Sequence, residues 1–204
     1  MDIRHIYKIY KKDIQKRKKE FKKNILNKEN ILKELFFCIL TPQSKAIKCW
    51  QAVCEIFSLD EKKFNYDNVE KILSKKVRFY RNKAKYLIEA KKKFEFIYKL
   101  IKNKKIDPLI LREILIKEIK GLGYKEASHF IRNIGYSFEL AILDRHILKN
   151  LKELKVIKKI PKTLSKKSYL EIEKKFSVFS KKINIPMVDL DLTFWAKQTG
   201  YVFK

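Results

Sequence analysis

Apolar residues recur along the chain at spacings of three and four, the period of a helix with one buried face. In the first 28 residues Ile3, Ile6, Tyr7, Tyr10, Ile14 and Phe21 fall among many lysines, which predicts a helix with a solvated basic face. From Ile31 to Leu40 the run is apolar nearly all round, as expected of a central helix, and Thr41-Pro42 ends it. Ser44 suits the N-cap of a helix that carries Ala46, Ile47, Trp50, Val53, Cys54 and Phe57. A short helix runs through Ile72 and Leu73, and a longer one from about Tyr80 to Ile101. Asp107-Pro108 opens a helix marked by Leu111, Ile114, Leu115 and Ile119; the next carries Ala127, Phe130, Ile131 and Ile134 and closes at Gly135. Asp144 opens another helix, Pro161 marks a linker, and helices follow from about Leu164 to Ile183 and from Pro186 to Gly200. No stretch sustains a period of two and no internal repeat occurs, so the chain reads as all-α.

Between the helices ending at Ile119 and starting near Lys125 stand Gly121 and Gly123, two of only four glycines. Such a pair permits positive φ and leaves backbone N–H groups unshielded. The pattern is a helix–hairpin–helix, in which the N–H groups of Gly121, Leu122 and Gly123 are expected to hold a DNA phosphate at a helix N-terminus.

Charge strengthens the nucleic-acid reading. Lys+Arg 50 against Asp+Glu 23 gives a net +27, a field suited to a polyanion, although lysine-rich chains also arise from genome composition or thermophily. Cys38, Cys49 and Cys54 are too few and wrongly spaced for an iron–sulfur cluster, and with His5, His129 and His146 they form no convincing metal-ligand set. No metal site from side chains is expected. The odd cysteine count, the lack of a long apolar run and the charged N-terminus predict a soluble, intracellular chain that does not engage a membrane and acts as a monomer.

The candidate chemistry lies in Lys125, just inside the second hairpin helix, and Asp144, nineteen residues later. Gly-Leu-Gly-Tyr-Lys followed by Leu-Asp-Arg-His at this distance resembles the helix–hairpin–helix DNA glycosylases. Within that superfamily, IPKTLSKKSYLEIE (160–173), LDLTFW (190–195), RFYRNKAKYL, KGLGYKEASHFIRNIGY and the terminal Lys204 resemble the archaeal-type, second-class 8-oxoguanine DNA glycosylases, over residues 30–204. The resemblance implies a two-lobed all-α fold with a basic segment at 1–30, a helical lobe at 31–106 and the hairpin and C-terminal helices at 107–204. It implies a bifunctional enzyme acting on damaged double-stranded DNA. Lys125 would be the nucleophile that gives a Schiff base, its amine kept neutral by burial and nearby positive charge. Asp144 would stabilise the cationic sugar, a role compatible with capping the helix at Arg145-His146.

By the same resemblance Phe79 and Trp195 supply aromatic faces for an extrahelical base and Lys204 addresses its polar edge. Gln43 would fill the gap left in the duplex, and Arg78 and Arg81 would hold the opposite strand or phosphates. Without the resemblance Trp195 is ordinary core and Lys204 a frayed end. His129 and His146 read as packed or phosphate-facing structural residues. No cofactor is required, though hairpin carbonyls in this superfamily often hold a monovalent cation. Two alternatives remain open: a glycosylase for another damaged base, and a non-enzymatic DNA-binding module.

Overall fold

A computed structural model of the chain describes residues 2–103 and 105–204. It is built from helices α1 (Ile3–Asn24), α2 (Lys28–Leu40), α3 (Ala46–Phe57), α4 (Tyr66–Ser74), α5 (Tyr80–Lys102), α6 (Pro108–Glu118), α7 (Tyr124–Asn133), α8 (Arg145–Glu153), α9 (Lys166–Ile183) and α10 (Met187–Thr199). Among the described residues there is no strand, and no helix is long and apolar enough to cross a membrane.

Short polar side chains set most of the helix starts by satisfying first-turn N–H groups. Asn27 accepts from the Asn30 N–H (3.0 Å), Asp107 from Leu109 (2.8 Å) with Pro108 in the first turn, and Asp144 from Ile147 (2.8 Å). The expected Ser44 cap does not form. Lys45 is the N-cap of α3 and makes no side-chain cap bond, because the Ser44 hydroxyl is engaged by the Arg78 N–H and by Lys83.

The buried apolar residues fall into two main cores. One gathers α2 to α7, from Ile31 to Leu140. The other gathers α8, α9 and α10 with Ile3 and Ile6 of α1, and a smaller cluster of Ile14, Phe21, Val188 and Leu192 continues the α1–α10 seam. The division therefore falls at Leu140–Ala141, not at residue 107, and α1 belongs to the C-terminal lobe. Both hairpin helices turn apolar faces into the first core, whereas α1 docks on α10 through a carboxylate. Buried Asp189 accepts from Tyr7 Oη (2.9 Å), Gln15 Nε2 (2.9 Å) and Lys18 Nζ (2.6 Å). Partial burial and this carboxylate push the Tyr7 hydroxyl up to about 12.

In the second core, Arg112 of α6 reaches Glu173 of α9 with two hydrogen bonds (2.8 and 2.9 Å), and Glu173 also accepts the Ala141 N–H (2.7 Å). The crossing of α1 over the end of α7 is equally tight. Gly135 has φ +67°, and a Cβ there would lie 2.6 Å from the Lys22 Cα and 2.7 Å from the Phe21 carbonyl oxygen. Both atoms are backbone and cannot swing aside. Gly135→Ala should therefore lower stability by about 1–3 kcal/mol, read as a reduced urea midpoint; an unchanged midpoint would show that α1 can lift off α7 at little cost.

Candidate active site

A cleft of about 1340 Å³ runs between the lobes, larger than the usual pocket for a small ligand. One wall comes from the α2–α3 connection, with Gln43, Ser44, Lys45 and Lys48, and from the α4–α5 connection, with Lys75, Lys76 and Arg78. Lys125, His129 and Arg132 of α7 form its floor. The opposite wall carries Asp144, Arg145 and His146 at the start of α8, Asp191 and Trp195 of α10, and Lys204. Basic side chains outnumber acidic ones along it. Lys45, Lys48, Lys75, Lys76 and Arg145 could not be singled out within so lysine-rich a sequence.

The hairpin presents Lys125 at this floor. Gly121 has φ +88°, and a Cβ there would meet the Tyr86 ring at 2.7 Å, so both conformation and space require glycine. Leu122 is buried in the first core. Two of the three N–H groups expected to hold phosphate are already used: Leu122 donates to the Ile119 carbonyl (3.3 Å) and Gly123 to Glu126 Oε2 (3.3 Å). The amides left for an anion are that of Gly121 and those of the first turn of α7, which helix geometry leaves without intrahelical partners. Glu126 does a second job, since its Oε1 lies 3.3 Å from Lys125 Nζ. A glutamate three residues after a helix N-cap is a readable sequence signal for this arrangement.

Asp144 and Lys125 line the same cleft, as the sequence spacing implies. The Asp144 Oδ1 bond to the Ile147 N–H fixes the carboxylate and leaves its second oxygen for another partner. A second carboxylate, Asp191, was not anticipated, although it lies one helical turn from Trp195. It pairs with Arg132 across the lobes. Burial pushes Asp191 up to about 6; Arg132 opposes that shift and nearby Asp144 adds to it.

Lys204 sits in the cleft with its ammonium withdrawn from it. That group is buried, ion-paired with Glu34, and 3.2 Å from the centre of the Trp50 ring. Burial lowers its pKa, opposed by the pairing with Glu34. Glu34 is itself buried and accepts from Asn133 Nδ2 (2.9 Å). The ammonium therefore anchors the last residue instead of reaching for a base edge. Phe79 also departs from expectation. It has a left-handed backbone (φ 57°, ψ 33°), does not line the cleft, and is 55% exposed with the Arg78 guanidinium 5.8 Å from its ring. Arg81 lies outside the cleft beside Glu70, whereas Gln43 and Arg78 line it.

Among the described residues, four buried side-chain polar atoms lack a hydrogen-bond partner: Arg112 Nε, Trp195 Nε1 and both ring nitrogens of His129. His129 and Trp195 face this cleft. Burial, reinforced by Arg132, Lys125 and Lys204, holds His129 well below the usual histidine range, so its neutral ring offers one donor and one acceptor. The Lys204 backbone, within hydrogen-bonding reach of the His129 ring, opposes that shift, so Trp195 Nε1 is the cleft nitrogen with no polar neighbour among the described residues. No group of three or more His, Cys, Asp or Glu residues that would hold a metal occurs among the described residues.

A family model described as 8-oxoguanine DNA glycosylase matches residues 14–185. A Fusobacterium nucleatum protein named 8-oxoguanine DNA glycosylase/AP lyase is 45% identical over 211 residues, covering 100% of this chain and 96% of the relative. A Methanocaldococcus jannaschii protein of the same name is 42% identical over 199 residues, covering 94% and 91%. The M. jannaschii enzyme solved in complex with a 15mer DNA containing 8-oxoguanine superposes with a TM-score of 0.87 at 38% identity, covering 99% of each chain. The Thermotoga maritima 8-oxoguanine DNA glycosylase gives a TM-score of 0.88 at 32% identity, covering 99% and 96%.

The raised Asp191 carboxyl has a measurable consequence. Its proton is held more tightly in the folded protein than in the unfolded chain, where the value is 3.8. Its stabilising contribution is complete below that value and is lost as pH rises through about 6. Asp191→Asn should flatten the dependence of the denaturation midpoint on pH across this window; the wild-type slope persisting in the variant would contradict the assignment.

Proposed function

The chain belongs to the 8-oxoguanine DNA glycosylase family, and we propose that it excises 8-oxoguanine from double-stranded DNA and then cleaves the abasic strand through Lys125. The reading is carried by one observation: Lys125 and the capped Asp144 face one basic cleft whose wall includes the Trp195 ring.

In this reading the target nucleotide leaves the base stack, because its sugar and base edge cannot be reached within a duplex. The base lies against Trp195, with the Trp195 N–H and the neutral His129 ring supplying hydrogen bonds. The Lys125 amine attacks C1′ through its nitrogen lone pair; the bond from C1′ to the base breaks, and the base leaves with the electron pair and takes up a proton. Asp144 stabilises the positive charge that builds on the sugar. Loss of a proton from the attached amine and opening of the sugar give the Schiff base. Removal of a C2′ proton then expels the 3′ phosphate with its bonding electrons. Glu126 orients Lys125 and, through Gly123, ties it to the hairpin.

Phosphate binding in this scheme falls to the first-turn amides of α7 and to the basic walls. A monovalent cation fits the same hairpin. The Leu122 N–H occupies only one acceptor position of the Ile119 carbonyl, and an ion there would add positive charge beside a phosphate. A purely architectural DNA-binding module gives no reason for Lys125 and Asp144 to share one cleft.

Borohydride trapping on a duplex with one 8-oxoguanine opposite cytosine tests the proposal, with an undamaged duplex alongside. A protein–DNA adduct should form on the damaged strand only. Lys125→Gln should abolish it while keeping affinity for the damaged duplex within about threefold, since the phosphate contacts are made by other groups of the cleft. An adduct in the variant, or loss of binding, would overturn Lys125 as nucleophile.

A further inference from the structure

Lys83 is a buried lysine that no step above uses. Only 4% exposed, it stands in the first turn of α5 beneath the wall formed by the α2–α3 and α4–α5 connections. Its Nζ donates to the Leu40 carbonyl (2.8 Å), the Pro42 carbonyl (2.8 Å) and Ser44 Oγ (2.9 Å), so all three ammonium hydrogens are spent. Ser44 Oγ also accepts the Arg78 N–H (3.0 Å), and the Lys83 N–H donates to the Phe79 carbonyl (3.1 Å). One side chain thus joins two connections that are 34 residues apart at the Ser44–Arg78 bond.

The geometry of those connections is unusual. Gln43 and Phe79 both have left-handed backbones without being glycine, with φ of 53° and 57°. Such residues carry conformational strain and persist only where their surroundings over-determine them. Lys83 binds residues 42 and 44 on either side of Gln43, and through Ser44 it fixes the peptide next to Phe79. Gln43 and Phe79 are exposed, and Gln43 and Arg78 line the cleft. A buried charge spent on loop carbonyls is costly to keep unless the loop shape matters.

We propose that Lys83 is a positioning residue, whose side chain holds the loop tips at Gln43 and Arg78–Phe79 in the shape that enters the duplex when the lesion is extruded. The inference rests on the glycosylase reading above and assigns Lys83 no contact with DNA. Extrusion is costly for a stacked base and least so where the base is already missing. Lys83 therefore matters for excision from an intact duplex and not for cleavage at a preformed abasic site.

Protonation bears on the same arrangement. Burial brings the Lys83 ammonium down to about 8. The groups that face it are Cys49 on α3, Arg78 in the α4–α5 connection, and Lys125 and Glu126 on α7. Cys49 is pushed up to about 11 by burial, away from this window. Above pH 8 the neutral amine has two hydrogens for three acceptors, and one loop anchor is lost. Lys125 acts in both assays, so its own contribution cancels when they are compared as a ratio.

The test uses the full chain as wild type, Lys83→Met and Ser44→Ala, with single-turnover rates on two duplexes of one sequence, one carrying 8-oxoguanine and one a preformed abasic site. Lys83→Met should slow excision on the order of tenfold and abasic cleavage less than threefold. Ser44→Ala, which keeps the lysine and breaks the tie to Arg78, should shift the ratio in the same direction by less. The wild-type ratio of excision to abasic cleavage should fall between pH 7.5 and 9, and in Lys83→Met it should be flat. Equal losses on both substrates, or no change on either, would overturn the proposal. If Lys83→Met does not fold, an unaltered ratio in Ser44→Ala overturns it. Wild-type protein that cuts neither duplex would instead overturn the glycosylase reading itself.

Discussion

A chain of buried polar contacts fixes the cleft on which everything else depends. Asp191 of α10 pairs with Arg132 of α7, Arg132 Nε donates to Asn133 Oδ1, Asn133 donates to Glu34 of α2, and Glu34 pairs with Lys204. Asn24, in the last turn of α1, joins through the Asn133 carbonyl. Removing one member would leave a charge buried and unpaired, which costs far more than the net gain from forming the pair. Apolar cores tolerate small slippage of one lobe on the other. Directional bonds among buried charges do not, so the spacing between Trp195 on α10 and Lys125 on α7 is fixed without any ligand.

The same contacts divide the labour within a very basic molecule. Most lysines are solvated and give a diffuse positive field, useful for drawing in DNA. Those with shaped surroundings differ: Lys125 beside Glu126, Lys204 against Glu34 and the Trp50 ring, and Lys83 spent on carbonyls. In each case the neighbours (a carboxylate, an aromatic ring or a set of carbonyls), not the lysine, set it apart.

That is also why part of the site was legible in the sequence and part was not. Helical periodicity and caps such as Asn27, Asp107 and Asp144 are local signals, and the observed helices follow them to within a few residues. The spacing of Lys125 and Asp144 spans only the rest of α7 and a connection whose Leu140 and Ala141 are each buried in a core, which leaves little freedom between them. Glu34, Arg132, Asp191 and Lys83 left no such mark. A single charged residue inside an apolar helix reads as a solvated one, and only its contacts in the fold reveal otherwise. Phe79 was misplaced for a related reason: nothing in VRFYR announces a left-handed residue or a ring outside the cleft. The sequence sets the first thirty residues apart, whereas in the fold α1 packs against residues more than 170 positions away, beyond what periodicity can report.

Those distant contacts also bear on how the chain is made. Helix α1 has its buried Asp189 partner on α10, and its crossing point at Gly135 also lies far along the chain from it. Until α10 leaves the ribosome, Tyr7, Gln15 and Lys18 have no carboxylate to meet, and Ile14 and Phe21 lack the α10 half of their cluster. Most of the α2–α7 core is local and can close early, whereas docking of α1 is a long-range closure with a large entropic barrier. During synthesis α1 therefore emerges ahead of its partners, as an amphipathic helix whose lysine-rich face is ready and whose apolar face has yet to be covered.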